Sequence, residues 1–110
     1  MLLDKLIEGI SKQDLPLLES LLHKEMLFVQ ETTLETKEEW MQATKEQFEN
    51  GILDATKMTV TVKFETKDMG ALELTREEDN GTLTCISNVL LYKDEKIFRH
   101  LINQVSIKQK

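Results

Sequence analysis

His23, His100 and Cys85 are the side chains whose types suit proton-transfer or nucleophilic chemistry near neutral pH, and they are scattered through 110 residues. Cys85 would need a base to act as a thiolate, and only His23 and His100 could serve. Its surroundings, Thr82-Leu83-Thr84-Cys85-Ile86-Ser87, read as strand, so a small buried hydrophobe is the simpler expectation. One cysteine closes no intrachain disulfide. Two histidines 77 residues apart, without flanking ligand spacing, form no metal motif, so neither metal nor cofactor is expected. His23 ends an apolar helical stripe, where a cation would ease the carbonyl dipole. His100 is the candidate acid or base; that role needs a pKa near the operating pH and a partner that sets its tautomer.

These residues need a scaffold, and the composition describes one. The length suits one domain over residues 1–110, and 40% hydrophobic residues with one Pro and four Gly can build a core. The net charge of −6 opposes phosphate backbones and anionic lipid surfaces, so nucleic acid and membranes are not expected partners. Residues 1–50 carry 11 acidic and 5 basic side chains, whereas residues 51–110 carry 9 of each. That acidity is expected to form a solvated helix face. The opening apolar run, Met1-Leu2-Leu3, stops at Asp4, and the longest uncharged run, Asn80 to Tyr92, has 13 residues. The first is shorter than the ~7–15 apolar residues of a secretory leader and the second shorter than the ~20 of a membrane span, so a cytoplasmic location is expected.

Leu2, Leu3, Leu6, Ile7 and Ile10 recur at helical spacing. Asp14 caps a second helix with Pro16 in its first turn, and the leucine stripe runs to His23. Met26-Leu27-Phe28-Val29 suits a short strand. Thr36 and Glu39 form a capping box that opens a third helix through Trp40 and Phe48, and Asn50-Gly51 ends it. From Met58 the period becomes two, and turns at Asp68-Met69-Gly70, Asn80-Gly81 and Lys93-Asp94-Glu95 divide four strands. Three helices covering one face of an antiparallel meander make an α+β fold.

In order of elements and local strings, the chain resembles the nuclear transport factor 2-like superfamily. The strings are Asp14-Leu15 to Leu21-Leu22-His23 before Leu27-Phe28-Val29, Thr36-Lys37-Glu38-Glu39-Trp40, and Tyr92-Lys93-Asp94-Glu95-Lys96-Ile97. Within the superfamily it looks closest to short stand-alone members without assigned activity, then to SnoaL-like cyclases and ketosteroid isomerases. The resemblance implies three N-terminal helices on a curved, mostly antiparallel sheet, a cone-shaped, cystatin-like roll.

It also implies an interior face. The expected ligand-binding residues are Trp40, Met58, Ser87, Val89, Phe98, His100, Ile102 and Gln104, with Ser87 and Val89 assigned by placing Cys85, Ser87, Val89 and Leu91 inward. At positions where isomerases keep their base, tyrosine and acid, this chain has Gln30, Leu6 and Ser87. The resemblance therefore argues against isomerase chemistry, and enzymatic activity is left open with His100 as the one catalytic candidate. Leu90, Tyr92, Leu101, Val105 and Ile107 are expected on the outer sheet face, enough apolar surface to predict a homodimer through the sheet. The leading expectation is a binding protein for a small apolar ligand. The alternatives are a homo-oligomeric assembly module without a pocket, and a small lyase or isomerase with His100 as proton shuttle.

Overall fold

The structure, a computed structural model, describes residues 2–108. Helix α1 (Leu2–Lys12) and helix α2 (Leu15–Leu21) precede strands β1 (Leu22–Gln30) and β2 (Thr33–Thr36). Helix α3 (Lys37–Glu49) and a turn of 3-10 helix (Ala55–Lys57) then lead into β3 (Met58–Glu65), β4 (Met69–Glu77), β5 (Thr82–Lys93) and β6 (Lys96–Lys108). The strands form one sheet in the order β2-β1-β6-β5-β4-β3, antiparallel throughout except where β1 runs parallel to β6. The helices cover its concave face, and the α+β architecture follows the expected plan.

Local chemistry accounts for most boundaries. The Asp14 carboxylate accepts the Leu17 N–H at 3.1 Å, and Pro16 follows in the first turn of α2. Thr36 and Glu39 make both bonds of the capping box. The α3 helix then ends with Gly51 at φ 77°, a conformation open to glycine. Leu3, Leu6, Leu18, Leu21, Leu22, Met26, Trp40, Leu90 and Ile97 form the core between helices and sheet. No helix among the described residues is long and apolar enough to cross a membrane.

Three expectations need correction. The leucine stripe does not carry α2 to His23: the helix stops at Leu21, Leu22 turns extended, and β1 begins there. His23 is therefore a strand residue with no helix end to cap. Its Nδ1 accepts the Glu25 N–H at 3.0 Å, and its ring meets Phe98 edge-on at 5.1 Å. Consecutive buried residues Leu21, Leu22 and His23 satisfy either period, so the apolar pattern could not mark this junction. Strand β2 was not expected; Glu31 at φ 50° closes a hairpin whose second strand has only four residues.

The third correction concerns the β5–β6 hairpin. Asp94 and Glu95 both have positive φ, as a two-residue turn with primed geometry requires, and Lys93 pairs with Lys96. Continued without interruption, that register would place Leu91 against Phe98 and Val89 against His100. Instead Tyr92 pairs with Ile97 and Leu91 with Arg99, so Phe98 is an extra residue in a β-bulge. Beyond the bulge Leu90 opposes His100 and Asn88 opposes Ile102. One inserted residue thus reverses the face that β5 presents. Leu90 and Tyr92, expected outside, lie on the core side, while Ser87, Val89 and Leu91 face outward.

Candidate functional site

The concave face of the sheet and the helices above it enclose a cavity of about 310 Å³. Helical spacing places Trp40, Thr44 and Gln47 of α3 along one wall, and Leu6, Ile7 and Ile10 of α1 along another. The sheet contributes cross-strand rows: Phe28 beside His100, then Ile102 beside Asn88 beside Leu72, then Gln104 beside Ile86 beside Leu74. Arg76 and Met58 pair farther along. The row with His100 also contains Leu90 and Gly70, and it closes the narrow end.

That closure is built from a half-buried hydrogen-bonded group. The Tyr92 hydroxyl donates to Glu65 Oε2 at 2.6 Å, and the same oxygen accepts the Leu3 N–H at 3.0 Å, fastening the start of α1 to β3 and β5. Burial, reinforced by Glu65, pushes the Tyr92 phenol far above its ordinary range. Gly70 is required beside it, because a β-carbon there would collide with the Tyr92 hydroxyl and Leu3.

Asn88 and His100 form the polar pair at the narrow end of the cavity. His100 Nε2 lies 2.7 Å from Asn88 Oδ1, and the Asn88 amide nitrogen donates to the Ile86 carbonyl at 3.2 Å. The Ile86 bond orients the amide, so its oxygen faces the imidazole and Nε2 must carry the hydrogen. The ring meets Phe28 edge-on at 5.2 Å and lies 6.4 Å from Trp40. Burial pushes the imidazole down to about 4, so it is neutral near pH 7.

The wide end carries charge, but the charge is already paired. Arg76 Nε donates to Glu78 Oε1 at 2.7 Å, and Thr84 donates to the same oxygen at 3.0 Å. Those two donors, Arg76 first, hold the Glu78 carboxyl below the usual carboxylate range. Arg76 also donates from Nη1 to the Ile52 carbonyl at 3.3 Å, tying the segment after α3 across the opening. Gln30 and Gln104 approach to 3.5 Å on the other side.

Of the residues expected from the sequence, Trp40, Met58, His100, Ile102 and Gln104 line this cavity. Ser87, Val89 and Phe98 do not. Ser87 and Val89 lie on the convex face because the bulge reverses β5, and Phe98, as the inserted residue, packs against His23 and under the Arg99 guanidinium at 3.7 Å. Leu6 and Gln30, two of the positions compared with the isomerases, do line the cavity. At the third, β5 turns Asn88 inward rather than Ser87. Asn88, Thr44, Phe28 and Arg76 were missed; Asn88 carried a signal, being a polar residue in step with Ile86 and Leu90.

The fold is that of the nuclear transport factor 2-like superfamily, as solved structures show. A nuclear transport factor 2-like protein of unknown function from Cytophaga hutchinsonii superposes with a TM-score of 0.71 at 16% identity, over 94% of this chain and 87% of that one. A protein from Sphaerobacter thermophilus gives 0.72 at 11% identity, over 94% and 93%. An LEH-like epoxide hydrolase from M. tuberculosis gives 0.67 at 7% identity, over 94% and 80%. No family model and no curated protein matches the sequence.

Proposed function

We propose that this chain is a small-molecule-binding protein whose mostly apolar ligand occupies the cavity between helices and sheet. The observation that carries the reading is the cavity itself: about 310 Å³, walled by aliphatic and aromatic side chains, with polar groups at its two ends. Small-molecule sites run from ~300 to 1,000 Å³ and have this composition. Proton-transfer chemistry fits less well. The partner of His100 is an amide, which orients the ring but takes up no proton, and an imidazole near 4 is a weak base at neutral pH. A thermal-shift screen of compact apolar molecules against wild type and His100→Ala tests the reading. Ligands should raise the wild-type Tm and raise the variant's less; if none does so for wild type, the cavity is not a binding site. An equal response in both proteins would remove His100 from it.

The convex face supports a second part of the proposal, a homodimer through the sheet. Val29, Leu101, Val89, Ala71 and Phe64 are successive cross-strand neighbours on that face, and Leu91, Val105 and Ile107 extend the apolar area. Leu101, Val105 and Ile107 are 39%, 47% and 52% exposed, and apolar surface gathered on one sheet face favours a partner there. Five strands ~4.8 Å apart, over about eight residues of ~3.3 Å rise, present on the order of 600 Å², close to the ~800 Å² per partner of a standard interface. In the alternative reading, this assembly face is the function and the cavity holds no ligand.

A further inference from the structure

The hydrogen-bond pattern of the narrow end restricts the chemistry of what the cavity can hold, given the binding reading above. Asn88 is oriented by Ile86, and its oxygen takes the Nε2 hydrogen of His100. The ring therefore keeps one lone pair, on Nδ1. Among the described residues no buried side-chain nitrogen or oxygen lacks a partner, and Nδ1 makes no hydrogen bond to the protein. His100 lines the cavity, so that lone pair is the one the ring can offer to what occupies it. Nδ1 is an acceptor and it is uncharged, on a ring whose neighbours are Phe28 and Trp40.

The charged side chain that lines the cavity, Arg76, is elsewhere, and the Glu65 carboxylate behind the narrow end is taken up by the Tyr92 hydroxyl and the Leu3 N–H. Arg76 is six residues along β4 from Gly70, the residue in the row of His100, which at ~3.3 Å per residue is ~20 Å along the strand. Its guanidinium is already bonded to Glu78 and the Ile52 carbonyl. An anionic head at the narrow end would face a lone pair, and a cationic head would lose its hydration for one neutral acceptor.

We propose that the ligand is a neutral molecule with one hydroxyl or N–H at an otherwise apolar end, which enters that end first and donates to Nδ1 of His100. Its apolar body then lies against Leu72, Ile86, Ile102 and Leu6, toward the opening at Arg76. The discrimination comes from the lone pair. A ligand that donates satisfies Nδ1, whereas one without a donor strips water from it and replaces nothing.

Three matched probes test this: 4-phenylcyclohexanol, its methyl ether, and 4-phenylcyclohexanecarboxylate, titrated into the intact protein by calorimetry. The alcohol should bind wild type about tenfold more tightly than the ether, the scale of one net hydrogen bond, and the carboxylate weakest. In His100→Phe the alcohol and ether should bind alike, with the ether near its wild-type affinity. Ring ¹⁵N shifts of wild-type His100 should report the Nε2–H tautomer, and the alcohol should move the Nδ1 resonance; this holds even if the variant fails to fold. Equal wild-type affinity for alcohol and ether, tightest binding of the carboxylate, or an Nδ1–H tautomer would each overturn the inference while leaving the cavity as an apolar site. Binding of none of the three would remove the binding reading together with it.

Discussion

His100 Nε2 and Asn88 Oδ1 lie 2.7 Å apart on neighbouring strands, and this bond decides which ring nitrogen carries the hydrogen and which keeps its lone pair. The relationship can be tested by changing what Asn88 offers. Asn88→Asp places a carboxylate against the imidazole, so the His100 pKa should rise from about 4 toward the neutral range. Histidine proton shifts followed against pH measure this directly. Asn88→Leu leaves the Nε2–H unpaired in a buried site and should cost about 1–3 kcal/mol in urea unfolding.

Stability should depend on pH through the same ring. In the unfolded chain His100 titrates near ~6.5, whereas burial in the folded protein lowers it to about 4. Between those values the unfolded state binds a proton that the native state does not, so stability falls as pH drops from ~6.5 toward 4 and levels off below. The full loss is about 3 kcal/mol at ~1.4 kcal/mol per pH unit. Glu39, Asp54 and Glu78, whose hydrogen bonds hold their carboxyls low, lose stability only at still more acid pH. Urea midpoints of wild type and His100→Gln at pH 7, 6 and 5 should therefore diverge within the imidazole's window. Parallel curves would show that the ring does not titrate as described.

Gly70 and Tyr92 should behave as a coupled pair. Gly70→Ala alone pushes a methyl into the Tyr92 hydroxyl and Leu3, an overpacking cost of about 1–3 kcal/mol. Tyr92→Phe alone removes a donor to Glu65, at about 1–2 kcal/mol. The double variant removes one of the colliding groups and should cost less than the sum of the two. Additivity within error in a double-mutant cycle would contradict the packing described for the narrow end.

The convex face makes a prediction about size in solution. Leu101 sits at the middle of the apolar row with Val29 and Val89 as its cross-strand neighbours. Leu101→Arg should leave the fold intact, because the side chain is 39% exposed, and should convert a dimer into a 12.8 kDa monomer in sedimentation experiments. A wild-type monomer at micromolar concentration would refute the interface.

Local rules made the helices and turns legible. Asp14 and Pro16, the Thr36–Glu39 box and Gly51 each specify a boundary through their own backbone and side-chain bonds, so neighbouring residues suffice to find them. Alternation likewise identified the strands, and it placed His100, Ile102 and Gln104 on one face of β6. The junction at Leu21-Leu22 and the short strand β2 were not legible. Their residues are compatible with more than one conformation, and contacts distant in sequence choose between them.

The division is clearest in β5. Along Thr82–Lys93 both alternating sets contain apolar residues, with Val89 and Leu91 in one and Ile86 and Leu90 in the other, so burial alone selects neither. The sequence by itself determined that this segment is a strand, that a tight turn follows at Asp94-Glu95, and that His100 returns beside it. Only the tertiary structure decided that Phe98 is accommodated as a bulge. A strand has a period of two, so that single insertion moved Ser87 and Val89 outward, brought Asn88 to His100, and set the chemistry of the cavity.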